Sequence, residues 1–249
     1  MPQRLKFVVA YDGAPFAGWQ SQTNGDTIQD RLEQAFRTVT SDEVRVHGAG
    51  RTDAGVHALG QVAHVELPAR SLPVAKWPAA LNASLPSTIR VLRSSYVPST
   101  FHARFSAKGK LYRYRIWNAA ILPPLERSRA WHVPAALDLD LMRAEAQCFV
   151  GEHDFASFAA NRGQPEHDTV RTIQQVQLRR SGPCVVVEFT GDGFLYKMVR
   201  LMVGALARCA RGQAAPGEVR QRLESPAQTP ATARFVAPAA GLYLVRVRY

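Results

Sequence analysis

The 249-residue chain has three cysteines, Cys148, Cys184 and Cys209. They form no CxxC pair and have no histidine at metal-ligand spacing, which excludes a disulfide framework and a zinc site and leaves reduced, packed thiols as the expectation. Long apolar runs are also lacking. No stretch of 18 apolar residues occurs, and the run Phe7 to Ala10 is too short for a signal h-region, so neither a membrane span nor a leader is expected. The protein is expected to be soluble and cytoplasmic. HExxH, a phosphate loop ending in GK[ST] and a GxSxG elbow are all missing, which argues against zinc hydrolysis, nucleotide-phosphate binding and serine esterase chemistry. Acid is absent from one long segment: nothing between Glu66 and Glu126 is Asp or Glu.

That acid-free segment carries Arg70, Lys76, Arg90, Arg93, Arg104, Lys108, Lys110, Arg113 and Arg115, and it accounts for most of a net charge of +11. A field of this sign favours a polyanion, nucleic acid first and an anionic membrane surface second. The excess is mostly arginine, which a GC-rich coding bias would also produce. Hydrophobic residues make up 46% of the chain, enough for a sizeable core, and this excludes disorder as the main state.

Periodicity predicts the elements. Residues 5–11 read as a buried strand ending at the Asp12-Gly13 turn signal. Ile28, Leu32, Ala35, Phe36 and Val39 fall at helical spacing behind Thr27, with Asp30 three residues on as in a capping box. Val44–His47, residues 61–67 and residues 88–97 read as strands. A short helix opens near Pro73, and Ala80–Pro86 (ALNASLP) is expected to be a turn. After a restart near Lys110, Tyr112, Tyr114 and Ile116 alternate with Arg113, Arg115 and Trp117. Asp138 should cap a helix carrying Leu139, Met142, Ala146 and Phe149, closed by Gly151. Residues 172–180 and 184–190 form a hairpin pattern. A long helix should carry Leu195, Met198, Val199, Met202, Leu206 and Cys209 inward. Residues 217–224 suggest a short helix, and GLYLVRVRY closes as a strand. The pattern predicts an α+β fold in two halves, 1–105 and 106–249, each a mostly antiparallel sheet with helices on one face.

The most unusual segment is Gly48-Ala49-Gly50-Arg51-Thr52-Asp53-Ala54-Gly55-Val56-His57-Ala58. Its glycines permit tight turning and close approach of a ligand. They do not have dinucleotide-fold spacing, and no strand–loop–helix follows. The loop presents a single carboxylate, Asp53, and a turn Asp is ordinarily occupied with its own backbone. Glycosidic hydrolysis normally needs two carboxylates; the nearest plausible second acid, Asp192, lies in a Gly-Asp-Gly turn. His57 and His64, seven apart across a loop–strand junction, read as structural. The chemistry left is that of one nucleophilic or basic carboxylate.

GRTDAGVHA (50–58), ALNASLP (80–86), FHARFSAKGKLYRY (101–114), GFLYKMVRLMVG (193–204) and APAAGLYL (237–244), in that order, resemble the TruA family of tRNA pseudouridine synthases. YDGAPFAGWQ (11–20) and TVRTI (169–173) agree with it. The resemblance spans essentially the whole chain. It implies two related α+β halves around a central RNA-binding cleft, a homodimer, and isomerisation of uridine to pseudouridine at positions 38, 39 and 40 of the tRNA anticodon stem-loop. The N1–C1′ bond breaks, the uracil rotates and C5 rejoins C1′, so neither metal nor cofactor is needed.

Residue by residue, the resemblance makes Asp53 the catalytic aspartate, as a nucleophile at C1′ or C6 or as the base in a glycal route. Arg200 becomes its basic partner, Tyr112 the active-site tyrosine that stacks on the flipped base, and Leu242 the apolar residue backing the base pocket. Arg51 matches the arginine implicated in flipping the base, whose unstacking costs a few kcal/mol. Phe101, His102, Ala103, Arg104 and Phe105 match an RNA-contacting segment, with Arg104 on phosphate. A second contact segment falls at Gln164–Asp168, where NRGQPEHD departs from the family in charge and length. Thr88 replaces an acid common after ALNxxLP, and Asp192 stands where many members have Asn or Ala. A catalytically silent tRNA-binding protein of the same fold and a nucleoside hydrolase using Asp53 are the alternatives; the intact Asp53, Tyr112 and Arg200 disfavour the first and the missing second carboxylate the other.

Overall fold

The computed structural model describes residues 3–23, 25–68, 72–160, 168–225 and 235–249. The fold is α+β, divided into two compact units: Met1–Lys108 with Tyr243–Tyr249, and Gly109–Leu242. In chain order the elements are β1 (Gln3–Tyr11), α1 (Ile28–Thr40), β2 (His47–Gly48), β3 (His57–Leu67), α2 (Trp77–Ser84) and β4 (Ile89–Val97). They continue with β5 (Gly109–Trp117), β6 (Trp131–His132), α3 (Leu139–Gln147), β7 (Gly151–Asp154), β8 (Val170–Ser181), β9 (Cys184–Gly191), α4 (Met198–Ala210), α5 (Glu218–Glu224) and β10 (Leu242–Arg248). Among the described residues no helix is long and apolar enough to cross a membrane.

In the first unit the strands run β4-β1-β3-β10, with β2 added to β3. All neighbours are antiparallel except β10, which pairs in parallel with β3 through Tyr243 opposite His57 and Leu244 opposite Ala58. Helix α1 starts where the sequence predicts. Thr27 is extended, its Oγ1 accepts the Asp30 N–H, and the hydroxyl donates to the Asp30 carboxylate at 2.6 Å. Its buried stripe, Ile28, Leu32, Ala35 and Phe36, faces the sheet. The Phe36 ring lies 5.5 Å from Phe7 of β1 and 5.5 Å from Trp77 of α2. Burying side chains of this size contributes about 2–3 kcal/mol each before their lost entropy is counted.

Two local expectations fail in this unit, each for a tertiary reason. The strand expected over Val44–His47 is reduced to His47–Gly48, the Val46 N–H going instead to the Glu33 carboxylate of α1 at 2.9 Å, and the turn expected over 80–86 is partly helix. Residues 80–84 continue α2 rather than turning. Trp77 and Leu81, one helical turn apart, are fully buried, and the Asn82 amide clasps Val91 of β4, donating to its carbonyl at 2.9 Å and accepting its N–H at 2.8 Å. Strand β3 is longer than the predicted 61–67; Ala63, Val65 and Leu67 share a buried face, and from Gln61 to Val65 the opposite face is buried as well.

In the second unit the order is β5-β9-β8-β7, with β6 on the end of β5. The predicted hairpin forms, β8 and β9 turning from Ser181 to Cys184. On β5, Tyr112, Tyr114 and Ile116 are buried and their alternates half-buried, as the pattern predicts. Asp138 caps α3 by accepting from the N–H groups of Asp140 and Leu141 at 3.1 and 2.9 Å. The helix ends at Gln147, before Phe149, and Gly151 opens β7 at φ +120° instead of closing the helix. Phe149, Phe155, Phe158 and Phe189 make the core here, with Phe149 5.0 Å from Phe158. Helix α4 begins at Met198, after Lys197 in the left-handed region, so Leu195 lies in the loop before it. All three cysteines are free thiols. Burial pushes the Cys209 thiol up to about 12, making it inert packing.

Candidate functional site

Asp53 sits on the loop joining β2 to β3, and the loop's geometry is imposed from the main chain. On one side of Asp53, the buried Thr52 shares a 2.8 Å hydrogen bond with the Tyr11 hydroxyl, and its carbonyl accepts the Trp19 N–H at 3.0 Å. On the other, the Val56 N–H closes a turn onto the Asp53 carbonyl at 3.1 Å, with Gly55 at φ +77°. The segment 11–20 packs flush on this loop. A Cβ on Gly13 would overlap the Val56 carbonyl oxygen, and one on Gly18, itself at φ +103°, would come within 2.8 Å of the Thr52 oxygen. The Gly13 N–H donates to Nδ1 of buried His57 at 3.1 Å, and the His57 ring stacks on Tyr243 at 4.7 Å. Buried Gln61 donates to the Gly50 carbonyl at 2.7 Å. Asp53 itself is half-buried and Arg51 exposed. A carboxylate is thus carried on a backbone with both flanks fixed, the arrangement a nucleophile or base needs.

The same unit carries residues 101–105 as a compact turn. His102 N–H donates to the Ser106 hydroxyl at 3.0 Å, and the Ser106 N–H returns to the His102 carbonyl at 2.9 Å. Phe101 is half-buried against Tyr249, with Lys6 Nζ 5.3 Å from its ring centre, and Ala103 is fully buried. Arg104 and Phe105 point outward, the guanidinium 5.8 Å from the Phe105 ring centre. The turn therefore splits into an anchoring pair and a presented pair.

In the second unit Tyr112 is buried edge-on against Phe194 at 4.9 Å. Arg200, half-buried on α4, donates from Nε to the Ala237 carbonyl at 2.7 Å, while the Ala237 N–H donates to the Arg200 carbonyl at 3.1 Å. The next carbonyl, Pro238, accepts from the Tyr114 hydroxyl at 2.7 Å. A Cβ on Gly241 would come within 2.6 Å of the Tyr114 ring, so only glycine lets residues 237–241 lie this close to β5. Leu242 is buried directly after this segment. Burial raises the Tyr114 hydroxyl well above the ordinary phenol range, with the Arg200 charge offsetting part of the effect. Sequence reasoning took Tyr114 for a core residue and missed its role as the tie holding the Leu242 segment; its place in the alternating YRYRIW strand gave no sign of a polar partner.

Several cations of the acid-free segment are already committed. Arg113 pairs with Glu188 at 2.7 Å and Arg115 with Glu126 at 2.9 Å, while Arg90 binds carbonyls of its own turn. Asp192 keeps the turn role its Gly-Asp-Gly context suggests, accepting the Thr172 N–H at 3.1 Å. Of the second contact segment, Gln164–Asp168, residues 164–167 lie outside the described residues.

A family model described as tRNA pseudouridine synthase matches residues 7–106 and 146–249. The chain belongs to the tRNA pseudouridine synthase family. A tRNA pseudouridine synthase A from Akkermansia muciniphila is 50% identical over 252 residues, covering 99% of this chain and 95% of that protein. One of the same name from Methylacidiphilum infernorum is 42% identical, covering 98% and 94%. Among solved structures, a chain of a Cbf5–Nop10–Gar1 complex is similar with a TM-score of 0.40 and 12% identity, covering 82% of this chain and 44% of its own length. The matched segments contain Arg51, Asp53, residues 101–105, Arg200 and Leu242; Tyr112 lies between them.

Proposed function

We propose that the chain converts uridine to pseudouridine at positions 38, 39 and 40 of the tRNA anticodon stem-loop, with Asp53 as the catalytic carboxylate. Membership of the tRNA pseudouridine synthase family makes it an isomerase acting on tRNA. The observation that carries the residue assignment is the Asp53 loop, whose backbone is held on both sides of the one carboxylate it presents. Breaking the N1–C1′ bond leaves uracil to rotate and bond through C5, after which the C5 proton leaves and N1 regains one. The atoms balance without any imported group. Asp53 attacks C1′ or C6, or removes the 2′ proton. Arg200 serves as the basic partner the family resemblance assigns, Tyr112 stacks on the base near C5, and Leu242 backs it. Arg51 fills the stack the base has left, and the 101–105 turn holds the RNA, with Arg104 on a phosphate. Recognition by shape and backbone suits three adjacent target positions in an A-form stem. The enzyme acts in the cytoplasm as a homodimer.

Mapping pseudouridine in the anticodon arm of unmodified tRNA tests this. Wild-type protein should modify the three positions, while Asp53→Asn binds tRNA and converts it on the order of a thousandfold more slowly. Full activity in Asp53→Asn would overturn the assignment, and binding without conversion by wild type would leave a silent tRNA-binding protein.

A further inference from the structure

Three imidazoles are packed together under the 101–106 turn. His64 of β3 and His47 of β2 stack at 5.0 Å with an interplanar angle of 21°. His102, on the turn, meets His64 edge-on at 4.7 Å and lies 5.9 Å from His47. Two of these rings do hydrogen-bonding work that a backbone element usually does. The buried His64 accepts the Ala103 N–H at Nδ1, 3.2 Å away. His102 accepts both the Arg104 and Phe105 N–H groups at its own Nδ1, at 3.1 and 3.3 Å, and its ring stacks on Phe105 at 4.4 Å. Three successive N–H groups of the turn thus end on two ring nitrogens.

A ring nitrogen accepts a hydrogen bond only while unprotonated, which fixes both histidines as neutral with the proton on Nε2. The surroundings enforce this. From β1, Arg4 and Lys6 face the cluster, Arg4 paired with Glu66 of β3 and also donating to the Phe101 carbonyl. His47 faces it from β2 and Arg104 from the turn itself, and Tyr249, following β10, donates to the Ala103 carbonyl at 2.7 Å. Burial first, then the charges of His102, His47 and Arg4, push the His64 imidazole down to about 4, and burial with His47, Arg4 and Arg104 lowers His102.

The outer surface of the turn shows what the cluster is for. Phe105, 77% exposed, has one face on His102 and lies beside the Arg104 guanidinium. A ring flanked by a cation offers a surface for the backbone and bases of RNA.

We propose that His64 and His102 are positioning residues for RNA binding: their neutral Nδ1 atoms set the main chain of residues 103–105, so that Arg104 and Phe105 are presented side by side to the tRNA. The proposal rests on the functional reading above; it adds His64, and it gives His102, already within the RNA-holding turn, the work of setting that turn's main chain.

The test uses the acceptor atom. Leucine keeps bulk and removes the acceptor; asparagine places its Oδ1 near the position of Nδ1. Steady-state pseudouridine formation on unmodified tRNA should show His102→Leu and His64→Leu each raising KM about tenfold with kcat within about twofold, while His102→Asn and His64→Asn stay within about threefold of wild type in KM. A simple structural role would make the Asn and Leu variants equally poor, or lower kcat and KM effects together, and either result overturns the proposal. So does an unchanged KM in the Leu variants. If His64→Leu does not fold, the His102 pair decides, since that ring sits at the surface turn. Failure of wild type itself to form pseudouridine would count against the functional reading, and in that case Kd for the same tRNA across the His102 variants still decides the positioning role.

Discussion

Two loops of the first unit are held rigid by different means. The Asp53 loop is held chiefly through the main chain: Thr52 takes the Trp19 N–H, Val56 closes on Asp53, and glycines at 13 and 18 allow the segment 11–20 to lie against it without a Cβ between, with the Tyr11, His57 and Gln61 side chains tying the flanks. The 101–106 turn is fixed by side-chain acceptors, with His64 and His102 taking its N–H groups. Backbone contacts of the first kind admit almost no chemical variation and no titration. Imidazole acceptors of the second kind titrate and can be replaced by another acceptor. A loop carrying a reacting carboxylate gains most from the former, because an error on the order of an ångström costs catalysis, whereas a contact surface tolerates more play.

The comparison can be broken most severely at Gly13. Gly13→Ala would force the Val56 carbonyl away, and loss of about 3 kcal/mol of stability together with nearly all pseudouridine formation is expected in denaturant titration and activity assay. A near-normal variant would show that the loop is not held as described.

Acid should separate the loops next. The folded His64 imidazole is held down to about 4 against an ordinary 6.5, so the unfolded chain binds its proton first. Stability from this group is intact above pH 6.5 and declines as the pH falls toward 4, by about 3 kcal/mol in all. Urea midpoints followed from pH 7 to 4 should fall less steeply in His64→Asn than in wild type; parallel slopes would mean His64 is not held neutral by the fold.

Tyr11→Phe is a finer probe of the Asp53 loop. It removes the hydroxyl from Thr52 and keeps the ring, so kcat should drop about tenfold with KM for tRNA little changed. A KM effect instead would make Tyr11 part of RNA binding. The smallest effect is expected at the presented edge of the other loop. Arg104→Ala should weaken tRNA binding several-fold and lessen the slope of log affinity against log salt by about one, as for the loss of one phosphate contact. An unchanged slope would remove Arg104 from the phosphate.

Much of this was legible along the chain because it depends on neighbours in sequence. Thr27 and Asp138 cap helices with side chains that reach only two or three residues, and the stripe of α1 and the alternation of β5 follow local periods. The composition and motif order were enough for the family and for Asp53 as its candidate carboxylate. What was missed has partners far away. Residues 80–86 read as a turn because Asn82 is a turn residue until Val91 of another strand occupies its amide. Gly151 resembles a helix terminator until a strand claims it. His64 read as structural, which is true, but its partner is the N–H of Ala103, 39 residues on.

The amino-acid sequence alone settled the excess of positive charge, the sparse cysteines without CxxC spacing, the α+β pattern and the isolated aspartate between glycines. These are properties of composition and of contacts within a few residues. Tertiary structure alone decided how that charge is spent, since Arg113 and Arg115 are paired with Glu188 and Glu126 from beyond the acid-free segment. It also decided that β10 pairs in parallel with β3, and that two neutral histidines hold the turn bearing Arg104. Long-range pairing, burial and the protonation that burial imposes depend on which distant groups the fold brings within a few ångströms, and no local pattern carries that information.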